Sequence, residues 1–234
     1  MKRIILMVIR LLYIAPYWFI KLLHMAGSDQ YSWKEKYDFL RLITVHANRA
    51  GRVVIDTHGI ENLPEKDGYI MYPNHQGMFD ALAIIEGNPH PFSIVMKKEV
   101  KDVFFLKQVF QMVGAIPIDR EDIRQSMQVI LQVAKEVSEG RNPEGTRSKM
   151  GNKVQTFKGG SFKSAMRAKA PIVPVALIDS YVPFDRNTIR KTTVQVHYLK
   201  PMYYEEYKDM KSTEIAAEVQ HRIEEVIAAN SKEN

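Results

Sequence analysis

An α/β fold, a sheet flanked by helices, is what this sequence predicts, and three observations carry the expectation. Short runs rich in β-branched and apolar residues (Tyr69–Pro73, Ser93–Met96, Ala115–Ile118, Ile172–Ile178, Thr193–Leu199) alternate with segments of helical period. One of those segments, Asp122 to Glu139, is strongly amphipathic: Ile123, Met127, Ile130, Leu131, Ala134 and Val137 trace a single face, and Gly140 is placed to end the helix. The chain of 234 residues, 45% hydrophobic and 26% charged, is long enough and apolar enough for one full domain with a sizeable core.

The elements follow in order. Residues 31 to 50 carry Tyr37, Leu40, Thr44 and Ala47, or Phe39, Ile43 and Ala50, at near-helical spacing, which predicts a helix. Gly51–Asp56 opens the strand-like part, Pro64–Gly68 is a turn, and Tyr69–Pro73 is a short buried strand. Helices are expected over Asp80–Ile85, Lys98–Val113, Phe162–Ala168 and Ser212–Ala229, and Asp179–Asp185 reads as a loop. The division is into an N-terminal helical region, 1–50, and an α/β domain, 51–234.

The first 26 residues are distinct. Lys2, Arg3, Arg10, Lys21 and His24 interrupt the apolar residues, and the longest uncharged run, Leu11 to Ile20, is about half of the roughly 20 residues a spanning helix needs. Pro16 falls inside that run, and no small-residue cleavage site follows a single apolar core. Tyr13, Tyr17, Trp18 and Phe19 beside basic residues suit a headgroup boundary, so Met1–Ala26 is expected to be a monotopic helical anchor on the cytoplasmic face of a membrane, the alternatives being a helix packed on the protein's own core and a distorted membrane span.

Charge and composition narrow the partners. The formal net charge of +6 favours an anionic surface or a phosphorylated substrate. The basic residues are dispersed and no nucleic-acid motif is present, so nucleic acid is not expected. Cysteine is absent, which removes disulfides and thiolate nucleophiles. No His, Asp and Glu cluster has metal-ligand spacing, and no metal or cofactor is expected.

The chemistry is concentrated in four blocks. Asn74-His75-Gln76-Gly77-Met78-Phe79-Asp80 places a histidine and a carboxylate five positions apart around a glycine. On one straight helix they would diverge, since neighbours lie three or four apart. A turn at Gln76-Gly77 brings Asp80 back beneath the His75 ring, fixing its tautomer and leaving the other nitrogen to take a proton. Ile116-Pro117-Ile118-Asp119-Arg120, Glu144-Gly145-Thr146-Arg147 and Val173-Pro174-Val175 follow in that order.

Together these blocks resemble the 1-acyl-glycerol-3-phosphate acyltransferase family, over roughly Gly59 to Leu199. The resemblance implies an acyltransferase-like mixed sheet and a membrane-associated enzyme that esterifies the sn-2 hydroxyl of lysophosphatidate, giving phosphatidic acid. It implies acyl carrier protein or coenzyme A as acyl donor, with direct transfer. His75 is then the general base and Asp80 its orienting carboxylate. Arg120 is the phosphate clamp, since its planar fork pairs two oxygens. Glu144, Gly145, Thr146 and Arg147 form a glycerol-phosphate loop, and Lys158, before Gly159-Gly160, adds charge at a helix start. Val173-Pro174-Val175 belongs to the acyl-channel wall or to the sheet core.

One departure sets up the alternatives. In the family an apolar strand delivers the Glu144 block to the sheet edge; here Glu139-Gly140-Arg141-Asn142-Pro143 runs from helix end to Glu144 with no apolar residue between. About 10 Å of extended chain is too little for a helix exit plus a strand of typical length. The rival readings are an acyltransferase for another acceptor, glycerol-3-phosphate or another lysophospholipid, and a non-catalytic lipid binder.

Overall fold

The structure is a computed structural model that describes residues 1–97, 106–119, 122–144 and 152–231. Three helices come first: α1 (Lys2–Leu11), α2 (Ala15–Ala26) and α3 (Trp33–Ala50). The N-terminal region expected to be helical contains two helices, α1 and α2, bent by 91°. Proline at the start of α2 explains the break, because its ring fits a first turn and not an interior. Ser32 starts α3 with a reciprocal capping box to Glu35.

Among the described residues a seven-stranded sheet runs through the molecule in the order β1-β7-β6-β2-β5-β3-β4. The strands are β1 (Val53–His58), β2 (Ile70–Pro73), β3 (Ser93–Lys97), β4 (Ile116–Ile118), β5 (Pro143–Glu144), β6 (Ile172–Ile178) and β7 (Thr192–Tyr198). β2, β3, β4, β5 and β6 are parallel, whereas β7 is antiparallel to β6 and parallel to β1. The sheet is therefore mixed, as expected. Between the strands lie α4 (Asp80–Gly87), α5 (Leu106–Met112), α6 (Ile123–Ser138), α7 (Lys163–Ala168), α8 (Val182–Asp185), α9 (Tyr204–Tyr207) and α10 (Ser212–Asn230). The segment expected as loop, Asp179–Asp185, contains α8; the first part of the expected Lys98–Val113 helix lies outside the described residues.

Alternation along the strands divides the core. Tyr69, Met71, Val173, Val175, Leu177, Val194 and Val196 pack on one face against residues of α1 to α4, such as Met7, Leu22, Tyr37 and Ile84. Ile70, Tyr72, Ile172, Ala176 and Ile178 pack on the other against Val129, Val133, Phe162, Val219 and Ile223. β6 is buried throughout, as an interior strand covered on both faces must be. Val173-Pro174-Val175 thus belongs to the sheet core.

The short approach to Glu144 has a definite construction. α6 ends in a Schellman turn: Gly140, at φ 84°, donates to the Val137 carbonyl, and Arg141 donates to the Glu136 carbonyl. This reverses the chain within two residues. Asn142, fully buried, then supplies with its side chain what a longer strand would supply with its backbone. Its Oδ1 accepts from the Gly68 and Tyr69 amides at 2.8 and 3.3 Å, and its Nδ2 donates to Asp67 Oδ1 at 2.9 Å and the Pro91 carbonyl at 3.2 Å. Its own carbonyl accepts from the Ser93 amide at 2.9 Å. β5 is left with two residues, yet it pairs with β2 at Met71 and with β3 at Ser93 and Ile94. A cavity of about 70 Å³ lined by Tyr72, Val95, Val129, Val133, Pro143 and Glu144 lies beside it.

Candidate active site

The carboxyl ends of β2, β5 and β6 share one edge of the sheet, and the polar cluster is built there. Asn74 carries β2 into the turn by imitating one more strand residue. Its Nδ2 donates to the Leu177 carbonyl at 3.0 Å and its Oδ1 accepts from the Leu177 amide at 2.6 Å. The chain then turns at Gln76-Gly77 and enters α4 at Asp80. Asp80 Oδ2 accepts from the Gln76 and Gly77 amides at 2.6 and 3.0 Å and lies 3.0 Å from His75 Nδ1. Its other oxygen, Oδ1, is 2.6 Å from Ser180 Oγ. Asp80 is 1% exposed and its charge is met by this ring of donors.

Glu144 closes the other side of the ring. Its Oε1 contacts His75 Nε2, and both side chains are buried. Burial by itself would push the imidazole down, but the charges of Glu144 and Asp80 and their hydrogen bonds outweigh it and raise the ring to about 10. With a carboxylate at each nitrogen, both nitrogens carry protons, and the ligand-free ring is an imidazolium.

A second set of side chains supports the turn. Gln76 Nε2 donates to the Leu177 carbonyl at 2.7 Å and to Asn152 Oδ1 at 3.0 Å, and Asn152 Nδ2 donates to Asp179 Oδ1 at 2.9 Å. Asp179 sits at φ 60°, a left-handed conformation tolerated by Asp, and it turns the chain sharply after β6. From the sequence Gln76 stood out only as part of the turn, and Asp179 and Ser180 only as the start of a loop after the Val173-Pro174-Val175 block. Asn152 carried no signal.

The remaining expected site residues divide. Arg120, Gly145, Thr146 and Arg147 lie outside the described residues. The chain on either side of Arg120 is well tied: Asp122 caps α6 through the Arg124 and Gln125 amides, and Ser126 Oγ donates to the Asp119 carbonyl at 2.7 Å. Glu144 meets His75 directly. Lys158 is exposed at the start of a 3₁₀ turn, Gly159–Phe162, which Tyr72 Oη holds to the sheet through the Ser161 carbonyl at 3.0 Å. Among the described residues Lys158 takes no part in the hydrogen bonds around His75.

Comparison with known proteins places this geometry. The family model described as "Acyltransferase" matches residues 54–178, from β1 through the end of β6. The chain belongs to this acyltransferase family. A 1-acyl-sn-glycerol-3-phosphate acyltransferase of Borreliella burgdorferi is 33% identical over 152 residues, 63% of this chain and 60% of that protein. One from Salmonella typhimurium is 30% identical over 169 residues, 70% of this chain and 69% of that protein. The aligned part of the chain thus spans about 60% to 69% of the length of these relatives. The crystal structure of the 1-acyl-sn-glycerophosphate acyltransferase PlsC from Thermotoga maritima superposes with a TM-score of 0.77 at 15% identity, covering 99% of this chain and 98% of that one. The acyltransferase fold therefore extends through the N-terminal helices and α10, beyond the residues the family model matches.

Proposed function

We propose that this protein transfers an acyl group from a thioester to the sn-2 hydroxyl of 1-acyl-glycerol-3-phosphate, yielding phosphatidic acid. The observation that carries the reading is the buried His75–Asp80 pair at the carboxyl edge of an acyltransferase-family sheet. Asp80 holds Nδ1 and stabilises positive charge on the ring, so Nε2 is the nitrogen that faces the acceptor hydroxyl. The acceptor has to take the place Glu144 occupies. When Glu144 leaves Nε2, the largest charge that raises the ring is gone; the imidazolium then gives up its Nε2 proton to solvent, and the neutral imidazole, still protonated at Nδ1 against Asp80, works as a base. The hydroxyl then attacks the thioester carbonyl as its proton passes to Nε2, the carbon–sulfur bond breaks, and the imidazolium protonates the departing thiolate. Arg120 and Arg147 would hold the acceptor phosphate. The donor is a thioester of acyl carrier protein or of coenzyme A.

The membrane association expected of Met1–Ala26 is part of the same proposal. No single described helix is long and apolar enough to cross a membrane, while α1 and α2 together pass that test as a bent pair. α1 turns Arg3 and Met7 inward and exposes Ile4, Ile5, Val8 and Ile9; the connection to α2 exposes Leu12 and Tyr13, and α2 exposes Tyr17, Ile20 and Leu23. That is an apolar surface with aromatic rings at its margin, suited to lying in a cytoplasmic headgroup layer near a lipid acceptor. Arg3 fastens α1 to the catalytic domain through the carbonyls of Pro183, Gly51 and Arg190 at 3.1, 2.6 and 2.9 Å.

The test offers the protein an acyl thioester with either lysophosphatidate or glycerol-3-phosphate on vesicles. Phosphatidate as the main product supports the reading. Preferential acylation of glycerol-3-phosphate overturns the acceptor, and no product from either overturns the enzymatic reading.

A further inference from the structure

The four motif blocks leave Asp80 incomplete, because one of its oxygens is served from a distant part of the chain. We infer that Ser180 is a positioning residue for acyl transfer: its hydroxyl, delivered by the left-handed turn at Asp179, locks Asp80 and through it the orientation and charge of His75. This rests on the reading of His75 as the base.

The hydrogen-bond inventory leaves one arrangement. Ser180 is fully buried, and its Oγ lies 2.6 Å from Asp80 Oδ1 and 3.0 Å from Gln76 Oε1. A hydroxyl carries a single proton. Gln76 Nε2 is committed to the Leu177 carbonyl and Asn152 Oδ1, so its Oε1 faces Ser180 and offers no proton. The Ser180 proton can serve either acceptor, and the ionised one wins; 2.6 Å is the length of a hydroxyl–carboxylate bond. Asp80 Oδ2 is already taken by two backbone amides and His75. Ser180 is therefore the donor on Oδ1, and the one among the described donors that comes from outside the His75 turn.

The placement depends on construction that a surface loop would lack. Ser180 follows β6 by two residues, and Asp179 adopts φ 60° between them. That conformation is held by Asn152, whose Oδ1 accepts from the Asp179 amide at 2.9 Å and whose Nδ2 reaches the Asp179 carboxylate. Backbone strain stabilised by dedicated side-chain bonds marks a segment whose aim matters. Among the described residues, the charged groups facing the turn are Glu144 from β5, Asp179 after β6 and Asp185 from α8, whose Oδ2 approaches Gly77. None of them donates a proton bond to Oδ1, so none replaces Ser180.

Removing the hydroxyl leaves more negative charge on the carboxylate facing His75 and frees it to rotate. The imidazolium is then held more tightly and aimed less well. Ser180→Ala is expected to lower kcat about tenfold, equivalent to about 1.4 kcal/mol of barrier, with KM for lysophosphatidate nearly unchanged. The acid limb of the kcat/KM profile moves to higher pH. Ser180→Thr, which keeps the hydroxyl, regains most of kcat. Rates are normalised to the folded fraction, and His75→Ala is measured alongside in the full chain on phosphatidylcholine vesicles carrying lysophosphatidate. An unchanged limb and kcat in Ser180→Ala, with His75→Ala inactive, overturns the role of Ser180 alone. So does a Thr variant as slow as the Ala variant with no shift of the limb. Activity in His75→Ala removes the underlying reading and this inference with it.

Discussion

Asn142→Ala tests how a family strand can be cut to two residues and still hold a site residue in place. The side chain makes four hydrogen bonds, three to backbone groups of Gly68, Tyr69 and Pro91 and one to Asp67, whose side is exposed to solvent. A buried bond contributes about 1 kcal/mol net, and abandoned buried donors cost about 1–3 kcal/mol each. Giving the three backbone bonds full weight and the Asp67 bond little, the loss comes to about 3 kcal/mol. That is a large share of a typical stability of about 5–15 kcal/mol. Urea unfolding followed by tryptophan fluorescence reads it directly, because Trp33 lies under the Arg141 guanidinium at 5.1 Å, one residue from the substitution. The midpoint should fall with the slope unchanged. Asp67→Ala, which removes the one exposed bond, should cost less than about 1 kcal/mol by the same reasoning. A loss in Asn142→Ala as small as that of Asp67→Ala would show that packing around Pro143 holds β5 and that the side-chain bonds do not.

Other expectations concern charge, substrate and surface. The protonated His75 stabilises the ligand-free fold fully below the ordinary value of 6.5, and that contribution disappears as pH rises toward about 10; a pH series of unfolding midpoints should show this decline in the parent chain and not in His75→Gln. Glu144→Gln removes the largest charge raising the ring, so the imidazole signals in a proton–nitrogen correlation spectrum should titrate at lower pH. Arg120→Ala should raise KM for lysophosphatidate while KM for the acyl donor stays nearly constant, and equal effects on both would remove the clamp. Ile5→Glu with Ile9→Glu should release the protein from sedimenting vesicles, since each apolar side chain withdrawn from lipid forfeits about 1.5–3 kcal/mol; unchanged co-sedimentation would refute the anchor.

What the sequence revealed and what it hid follow from the range of the interactions. The His75–Asp80 turn was legible because all its parts lie within a few residues and the glycine marks the bend. α6 was legible in extent from its helical period and Gly140, but its buried face runs through Val129, Val133, Ala134 and Val137 and leaves Met127 and Leu131, expected on that face, exposed; β6 was legible from an unbroken apolar run. The arrangement of α1 and α2 was half visible: Pro16 marked the break, but nothing local announced that Arg3 of α1 bonds carbonyls of Gly51, Pro183 and Arg190 far along the chain. Ser180 was illegible, since its link to Asp80 spans 100 positions and a serine in a loop carries no local signal. Asn142 was hidden for the same reason. The sequence showed that apolar residues were missing there, and only the fold shows that an amide side chain fills the gap in the hydrogen-bond ladder.

In the proposed reaction His75 takes the proton of a lysophosphatidate hydroxyl during acyl transfer. The direct measurement is phosphatidate formed from lysophosphatidate vesicles and a labelled acyl thioester, comparing the parent chain with His75→Ala at equal folded concentration. Phosphatidate is expected from the parent and a rate about 10²–10⁴-fold lower from the variant, with both proteins still binding the vesicles. Equal rates from the two, or a folded parent that binds lysophosphatidate and forms no phosphatidate, would contradict it.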